Sequence, residues 1–260
     1  DEEAWNDIKN SNDPEDFIQV IKNNPDIGTI VIEGARYDFP SQEFLSAIQK
    51  TANRKGIVLV SDEITSGWRI TDGGVYKING FQPDIVVYGK GMGNGYAISA
   101  IVGKKDIMDV SQETFISSTF WTERIGFVAA IKTIEILIRE KVCDHLIQIG
   151  NLIGEGWLKL AEKHSLNLHV TDFKPLITMK LDYGEQNAAL QTLFSQEMLK
   201  RGYLAAPSVY VSYSHDESVV DEYLQNVDEV FGIMQESKES GTVMEKLETR
   251  VREEGFKRLN

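Results

Sequence analysis

The chain has 260 residues, 40 of them acidic and 27 basic, for a formal net charge of -13 at pH 7. That length suits one large domain or two small ones, and 42% hydrophobic content suffices for a core. The acidic balance argues against a nucleic-acid partner, because phosphate backbones select basic surfaces.

In chain order, "DPEDFIQVIKNNP" predicts a helix capped by Asp13, with Pro14 at its first position. "GTIVIEG" carries a short β-branched run from Thr29 to Glu33. "SQEFLSAIQKTANRKG" predicts an amphipathic helix that starts at Ser41 and stops at Gly56. Three apolar strands follow in "IVLVSDE", "DIVVYGK" and "AISAIVG". Strands without inside–outside alternation, separated by helices, predict an α/β sheet covered on both faces.

Near residue 122 the period changes to helical, with a break expected between Lys141 and Asp144. Beyond lie the strand-like runs "LHVTDF" and "LITMKLD" and the helical run "EQNAALQTLFSQEMLKRG". "YLAAPSVYVSYS" and a final long helix from Glu217 complete a smaller α+β region. The resulting division is 1–122 for part of a large domain, 123–163 for a connecting helix region and 164–260 for a small domain. The charged end, "EKLETRVREEGFKRLN", is expected to be mobile.

Ligands of α/β sheets gather at the carboxyl ends of strands. Asp62 closes one strand and Lys90 the next. An aspartate there also serves as a turn residue or helix cap, and a lysine as a solvated loop residue. The glycines at 89, 91, 93 and 95 favour a ligand, since they let backbone lie close to one. A P-loop fails, because Gly89-Lys90 is followed by glycine where Ser or Thr should stand. A dinucleotide fingerprint fails too, with Asn94 at the third glycine position and a strand following. A lysine of this kind can form Schiff bases, as in pyridoxal phosphate enzymes, where an aspartate pairs with the pyridinium nitrogen.

"LVSDEITSGWR" followed by "PDIVVYGKGMGNGYAISAIVG" resembles the class III aminotransferases of fold-type I, and the Asp62–Lys90 spacing of 28 agrees. "GWR" and "YLAAPSVY" are similar to the glutamate-1-semialdehyde aminomutase subgroup. The resemblance implies part of a fold-type I large domain, a mostly parallel sheet with helices on both faces, plus a C-terminal α+β small domain. It implies pyridoxal 5'-phosphate as cofactor, held by Lys90 as the internal aldimine, with the freed amine then carrying a proton. It implies that Asp62 pairs with the pyridinium, that Ile64 packs under the ring and that Thr65 lies near the phenolic oxygen. Thr119, with Ser118 beside it, matches the position that reaches the phosphate of the neighbouring subunit's cofactor, so a homodimer with shared sites follows. Glu33 matches a family glutamate near substrate or cofactor, and equally suits a strand-end salt bridge. Glu63 and Arg69 are set aside as structural.

The implied partners are a small-molecule amino donor and a carbonyl acceptor, with Tyr210 and Tyr213 as candidates to line a pocket for a sugar-like one. No nucleic acid and no membrane are expected, since no apolar run is long enough to span a bilayer. The lone Cys143 and the absence of a signal-peptide pattern point to the cytoplasm. Family chains are much longer, so this one reads as the C-terminal part of such a protein. Trp121-Thr122-Glu123-Arg124 departs from the family's Ser-Gly-Asn-Pro. A non-catalytic fragment or subunit of the same fold, acting as a dimerisation or interaction module, is the alternative. A different pyridoxal phosphate reaction is a second.

Overall fold

The structure is a computed structural model in which residues 13–121 and 123–253 are described. The chain divides between Cys143 and Asp144 into two compact units.

In the first unit, Asp13 caps α1 (Pro14–Asn23) by accepting the Glu15 N–H at 2.8 Å. Strand β1 (Thr29–Glu33) leads into α2 (Gln42–Lys55), which Ser41 caps and Gly56 ends in the left-handed conformation. Strand β2 (Val58–Asp62), the short helix α3 (Tyr76–Asn79), β3 (Ile85–Tyr88) and β4 (Ala100–Gly103) follow. Next come α4 (Lys105–Met108) and α5 (Ile125–Arg139). The sheet order is β1-β2-β3-β4, parallel through β3, with β4 antiparallel at the edge.

Register and pleat place Ile30, Ile32, Leu59, Ser61, Val86 and Tyr88 on one face. Helices α1 and α2 bury Phe17, Ile21, Phe44, Leu45 and Ile48 with Leu59, and Ile30 and Ile32 pack against that cluster. Helix α5 brings Ala130 to Val86 and Tyr88, with Ile134 alongside. The other face carries Val31, Val60, Asp62, Val87 and Ile101. There Val31 is 49% exposed and Ile101 61%. Among the described residues, these helices lie on one face. The second face, which the apolar runs predict to be covered as well, stands open. An apolar run shows what a strand can be buried against; it does not supply the covering element.

The second unit holds most of α6 (Val142–Lys163), which starts after a break where Lys141 adopts φ 50°. Strands β5 (Leu168–Val170), β6 (Leu176–Leu181) and β7 (Ser208–Tyr210) form an antiparallel sheet. Helices α7 (Asn187–Lys200), α8 (Glu217–Ser240) and α9 (Val243–Lys246) accompany it. Its core includes Trp157, Ile177, Leu193, Phe194, Val227 and Phe231, all essentially inaccessible. The Trp157 indole N–H donates to the Tyr223 hydroxyl at 3.1 Å.

The charged end departs from its expected mobility through residue 252. Gln196 donates to the Lys246 carbonyl at 2.9 Å and accepts the Glu248 N–H at 2.7 Å. The Arg252 N–H donates to Thr192 Oγ1 at 3.0 Å. Two polar side chains on α7 thus satisfy backbone that charge composition alone assigns to solvent. Residues 254–260 lie outside the described residues.

Asp228 on α8 accepts from Lys163 Nζ at 2.6 Å and from His164 Nε2 at 2.6 Å. Those two hydrogen bonds, Lys163's first, hold its carboxyl below the ordinary aspartate value of 3.8. A depressed folded-state value means the stabilisation is present above about pH 4 and lost as acid titrates the group. Asp228→Asn should therefore lower the thermal midpoint near neutrality and flatten its fall below about pH 4. Parallel melting curves from pH 7 to pH 3 check this, and identical acid slopes would contradict it.

Candidate active site

Parallel pairing fixes where the site residues sit. Asp62 is in register with Glu33 of β1 and with Val87 of β3. The chain leaves β3 at Tyr88 and enters a 3₁₀ turn at Lys90–Met92. The carboxyl ends of β2 and β3 therefore bring Asp62 and Lys90 to neighbouring positions, although 28 residues separate them.

Lys90 has φ 39°, in the left-handed region, where a side chain with a β-carbon costs roughly 1–2 kcal/mol. The side chain is exposed, and its Nζ donates to Thr65 Oγ1 at 2.9 Å. Thr65 is itself buried, and its carbonyl accepts from Arg69 Nε at 2.9 Å. Asp62 is half-buried, and its Oδ1 accepts the Ile64 N–H at 2.9 Å. That short turn leaves the second carboxylate oxygen for another partner. Ile64 lies against Gly89, since a β-carbon built there would meet its Cγ2 at 3.5 Å.

The glycine-rich loop has one position where no other residue fits. A β-carbon on Gly93 would stand 2.2 Å from the Tyr96 carbonyl oxygen, which is backbone and cannot swing away. Gly93→Ala should cost roughly 1–3 kcal/mol, as overpacking does. Chemical unfolding measures it, and a change below about 0.5 kcal/mol would contradict the close approach.

Behind the lysine turn, Trp68 packs on Tyr88 at 5.4 Å between ring centroids. Burial, then the hydrogen bond between the Tyr88 and Tyr76 hydroxyls, holds the Tyr88 phenol above the ordinary tyrosine range. It stays neutral at physiological pH and belongs to the cluster packed beneath the sheet with Val86 and Met92.

The remaining sequence candidates fall outside this hydrogen-bonded group. Glu33 is exposed and sits 3.9 Å from Arg36, a strand-end ion pair. Ser118 and Thr119 are exposed in a loop, where Ser118 Oγ accepts the Phe120 N–H at 3.3 Å. Thr122 lies outside the described residues. In the second unit, Tyr210 lines a hollow of about 270 Å³ with Tyr203, His215 and Tyr223. Tyr213 instead packs edge-on against His145 at 5.0 Å. Sequence reading missed the depth of Glu63, which is wholly buried and hydrogen-bonded to Ser61 and Ser66. The serines on either side of it in "SDEITS" were the available signal.

An exposed amine, a carboxylate with a spare oxygen, an aliphatic side chain and a hydroxyl converge at two strand ends. Such a set can hold a flat ligand that carries a carbonyl and a protonated ring nitrogen. The fold is that of the fold-type I transaminases. The FumI protein of Sphingopyxis sp. MTA144, solved in its pyridoxal phosphate internal aldimine form, superposes with a TM-score of 0.82 at 23% identity. That match covers 88% of this chain and 57% of FumI.

The chain belongs to the class III aminotransferase family, which it matches over residues 6–178. It is 35% identical over 206 residues to the 3-aminobutyryl-CoA aminotransferase of Cloacimonas acidaminovorans, covering 75% of this chain and 50% of that protein. It is 30% identical over 236 residues to the glutamate-1-semialdehyde 2,1-aminomutase of Nitrosopumilus maritimus, covering 82% of this chain and 55% of that protein. The chain thus spans about half the length of these relatives.

Proposed function

We propose that this chain is the C-terminal portion of a pyridoxal-phosphate-dependent enzyme that moves amino groups from a small-molecule donor to a carbonyl acceptor. One observation carries the reading: in a class III family chain, the amine of Lys90, just past the end of β3, donates to Thr65 in the turn that follows Asp62 at the end of the adjacent β2. When bound, pyridoxal phosphate supplies an aldehyde that captures amines and a ring that draws electrons from the adjoining carbon.

Lys90 Nζ would be the amine that holds the aldehyde and, when released, would move the proton at the substrate carbon. Asp62 would hold the proton on the ring nitrogen. Ile64 would pack against the ring, and Thr65 Oγ1, which accepts from Lys90, would lie near the phenolic oxygen. Ser118 and Thr119 would donate to the phosphate of the partner subunit's cofactor, and Glu33 would lie in the vicinity of substrate or cofactor. On this reading residues 1–122 are the C-terminal part of the cofactor-binding large domain, 123–163 a connecting helix region and 164–260 the small domain.

The same reading makes the full protein a homodimer. Phe115 is 95% exposed and Phe120 76%, and Trp121, Phe127, Val128 and Ile131 are exposed as well. Apolar surface of that extent beside a candidate site favours burial against a second subunit. A cytoplasmic location fits the lone thiol, Cys143. Among the described residues, no helix is long and apolar enough to cross a membrane. The acceptor of this reading is a sugar-like or small carbonyl compound.

The test supplies the full-length protein with pyridoxal phosphate, ¹⁵N-labelled amino donors and a panel of keto acids, aldehydes and keto-sugars. Label appearing on the acceptor supports transfer between molecules. Label retained in a rearranged donor indicates an aminomutase. No movement of label with any pair, from a protein that binds the cofactor, would favour the non-catalytic module.

A further inference from the structure

Glu63 is the one Asp, Glu, Lys or Arg among the described residues that is fully buried, at 0% exposure. A carboxylate so placed is costly unless its oxygens are occupied. Here they are. Oε1 accepts from Ser61 Oγ at 3.0 Å and from the Tyr76 N–H at 3.3 Å, and Oε2 accepts from Ser66 Oγ. None of the three donors carries a charge.

The cavity that holds it is shaped by two glycines far apart in the chain. A β-carbon on Gly34 would stand 2.7 Å from Oε1, and one on Gly74 would stand 2.7 Å from Cδ. The carboxylate thus ties together the segment after β1, the end of β2 and the start of α3. Its backbone is held as well: the Glu63 N–H donates to the Val87 carbonyl at 2.9 Å, and the Gly67 N–H donates to the Glu63 carbonyl at 2.8 Å.

Strand alternation explains what this anchoring does. Neighbouring side chains at the end of a strand point to opposite sides. Asp62 faces the open side of the sheet, and Glu63 is driven into the interior behind it. The turn that Glu63 pins then carries Asp62 Oδ1 to the Ile64 N–H and Thr65 Oγ1 to Lys90 Nζ. We infer that Glu63 is a positioning residue, whose buried carboxylate fixes the 62–67 turn so that Asp62 and Thr65 meet the cofactor and Lys90 in register. This rests on the function proposed above, and it assigns Glu63 no contact with cofactor or substrate.

The role belongs to hydrogen-bond acceptance rather than to charge. In Glu63→Gln the amide oxygen keeps the Ser61 and Tyr76 donors, and the amide nitrogen donates to Ser66 once that hydroxyl turns. In Glu63→Ala all three donors are orphaned. The experiment uses the full-length protein and two readouts. The first, without cofactor, is hydrogen exchange of a peptide covering 62–69 against one covering 42–55 in α2. Glu63→Ala should speed exchange of the first by about tenfold or more and leave the second unchanged, with Glu63→Gln like wild type. The second is the dissociation constant of pyridoxal phosphate, expected to rise about tenfold or more in the alanine variant and less than about threefold in the glutamine variant.

A uniform loss of protection in both peptides would mean that alanine unfolds the unit. Ser66→Ala, which removes a single donor, then decides by a selective rise at 62–69 or its absence. Unchanged turn exchange in a folded variant overturns the inference, and so does a glutamine variant as impaired as alanine. Wild-type protein that binds no pyridoxal phosphate overturns the functional reading instead, and the exchange comparison still decides the anchor.

Discussion

Lys90→Ala in the full-length protein is expected to lose borohydride-fixable pyridoxal phosphate and to slow amino transfer by roughly 10³–10⁴-fold. The size follows from two roles falling on one atom. In the proposed function Nζ is the amine that binds the aldehyde and also the base that moves the proton, and alanine removes both. Stability should hardly change, because the side chain is exposed and Thr65 is its hydrogen-bond partner. A surface substitution of this kind shifts unfolding by about 0.5 kcal/mol or less. Lys90→Arg makes the stricter control. It keeps the positive charge beside Thr65 but gives a group that cannot deprotonate, so it should be as inactive as alanine. Single-turnover rates with borohydride trapping measure both, and an arginine variant within tenfold of wild type would contradict the covalent role.

Asp62→Asn is expected to slow turnover by roughly 10²–10³-fold, the scale of removing one preorganised electrostatic contact. The substitution is conservative for the fold. Asparagine Oδ1 can still accept the Ile64 N–H, now 2.9 Å from Asp62 Oδ1, so the turn keeps its shape. What disappears is the negative charge that, in the proposed function, keeps a ring nitrogen protonated. The loss should appear in kcat and leave the melting temperature nearly unchanged, which separates it from the effect of Glu63→Ala. Full activity in Asp62→Asn would remove Asp62 from the site.

These two residues were legible in the chain because β-runs write themselves plainly. "IVLVSD" and "DIVVYGK" end in ionisable residues where an α/β sheet places its ligands. Thr65 entered through resemblance alone; the structure adds its hydrogen bond to Lys90. Two kinds of information were not local. The open face of the sheet depends on where α1, α2 and α5 pack, and the apolar runs of β1 to β4 read the same whether one face is covered or two. The burial of Glu63 depends on Gly34 and Gly74, each remote in sequence from the carboxylate it admits. Alternation sends the two carboxylates of an Asp-Glu pair at a strand end to opposite sides, but it does not say which side is closed. The charged end misled for a related reason. Its composition speaks for solvent, while Gln196 and Thr192 on α7 supply the bonds that hold it through residue 252.

The most direct test of the central claim is peptide mass mapping of the full-length protein after incubation with pyridoxal phosphate and reduction with borohydride. The account predicts a single phosphopyridoxyl adduct, on Lys90, absent from Lys90→Ala. An adduct on another lysine, or none at all, would contradict it.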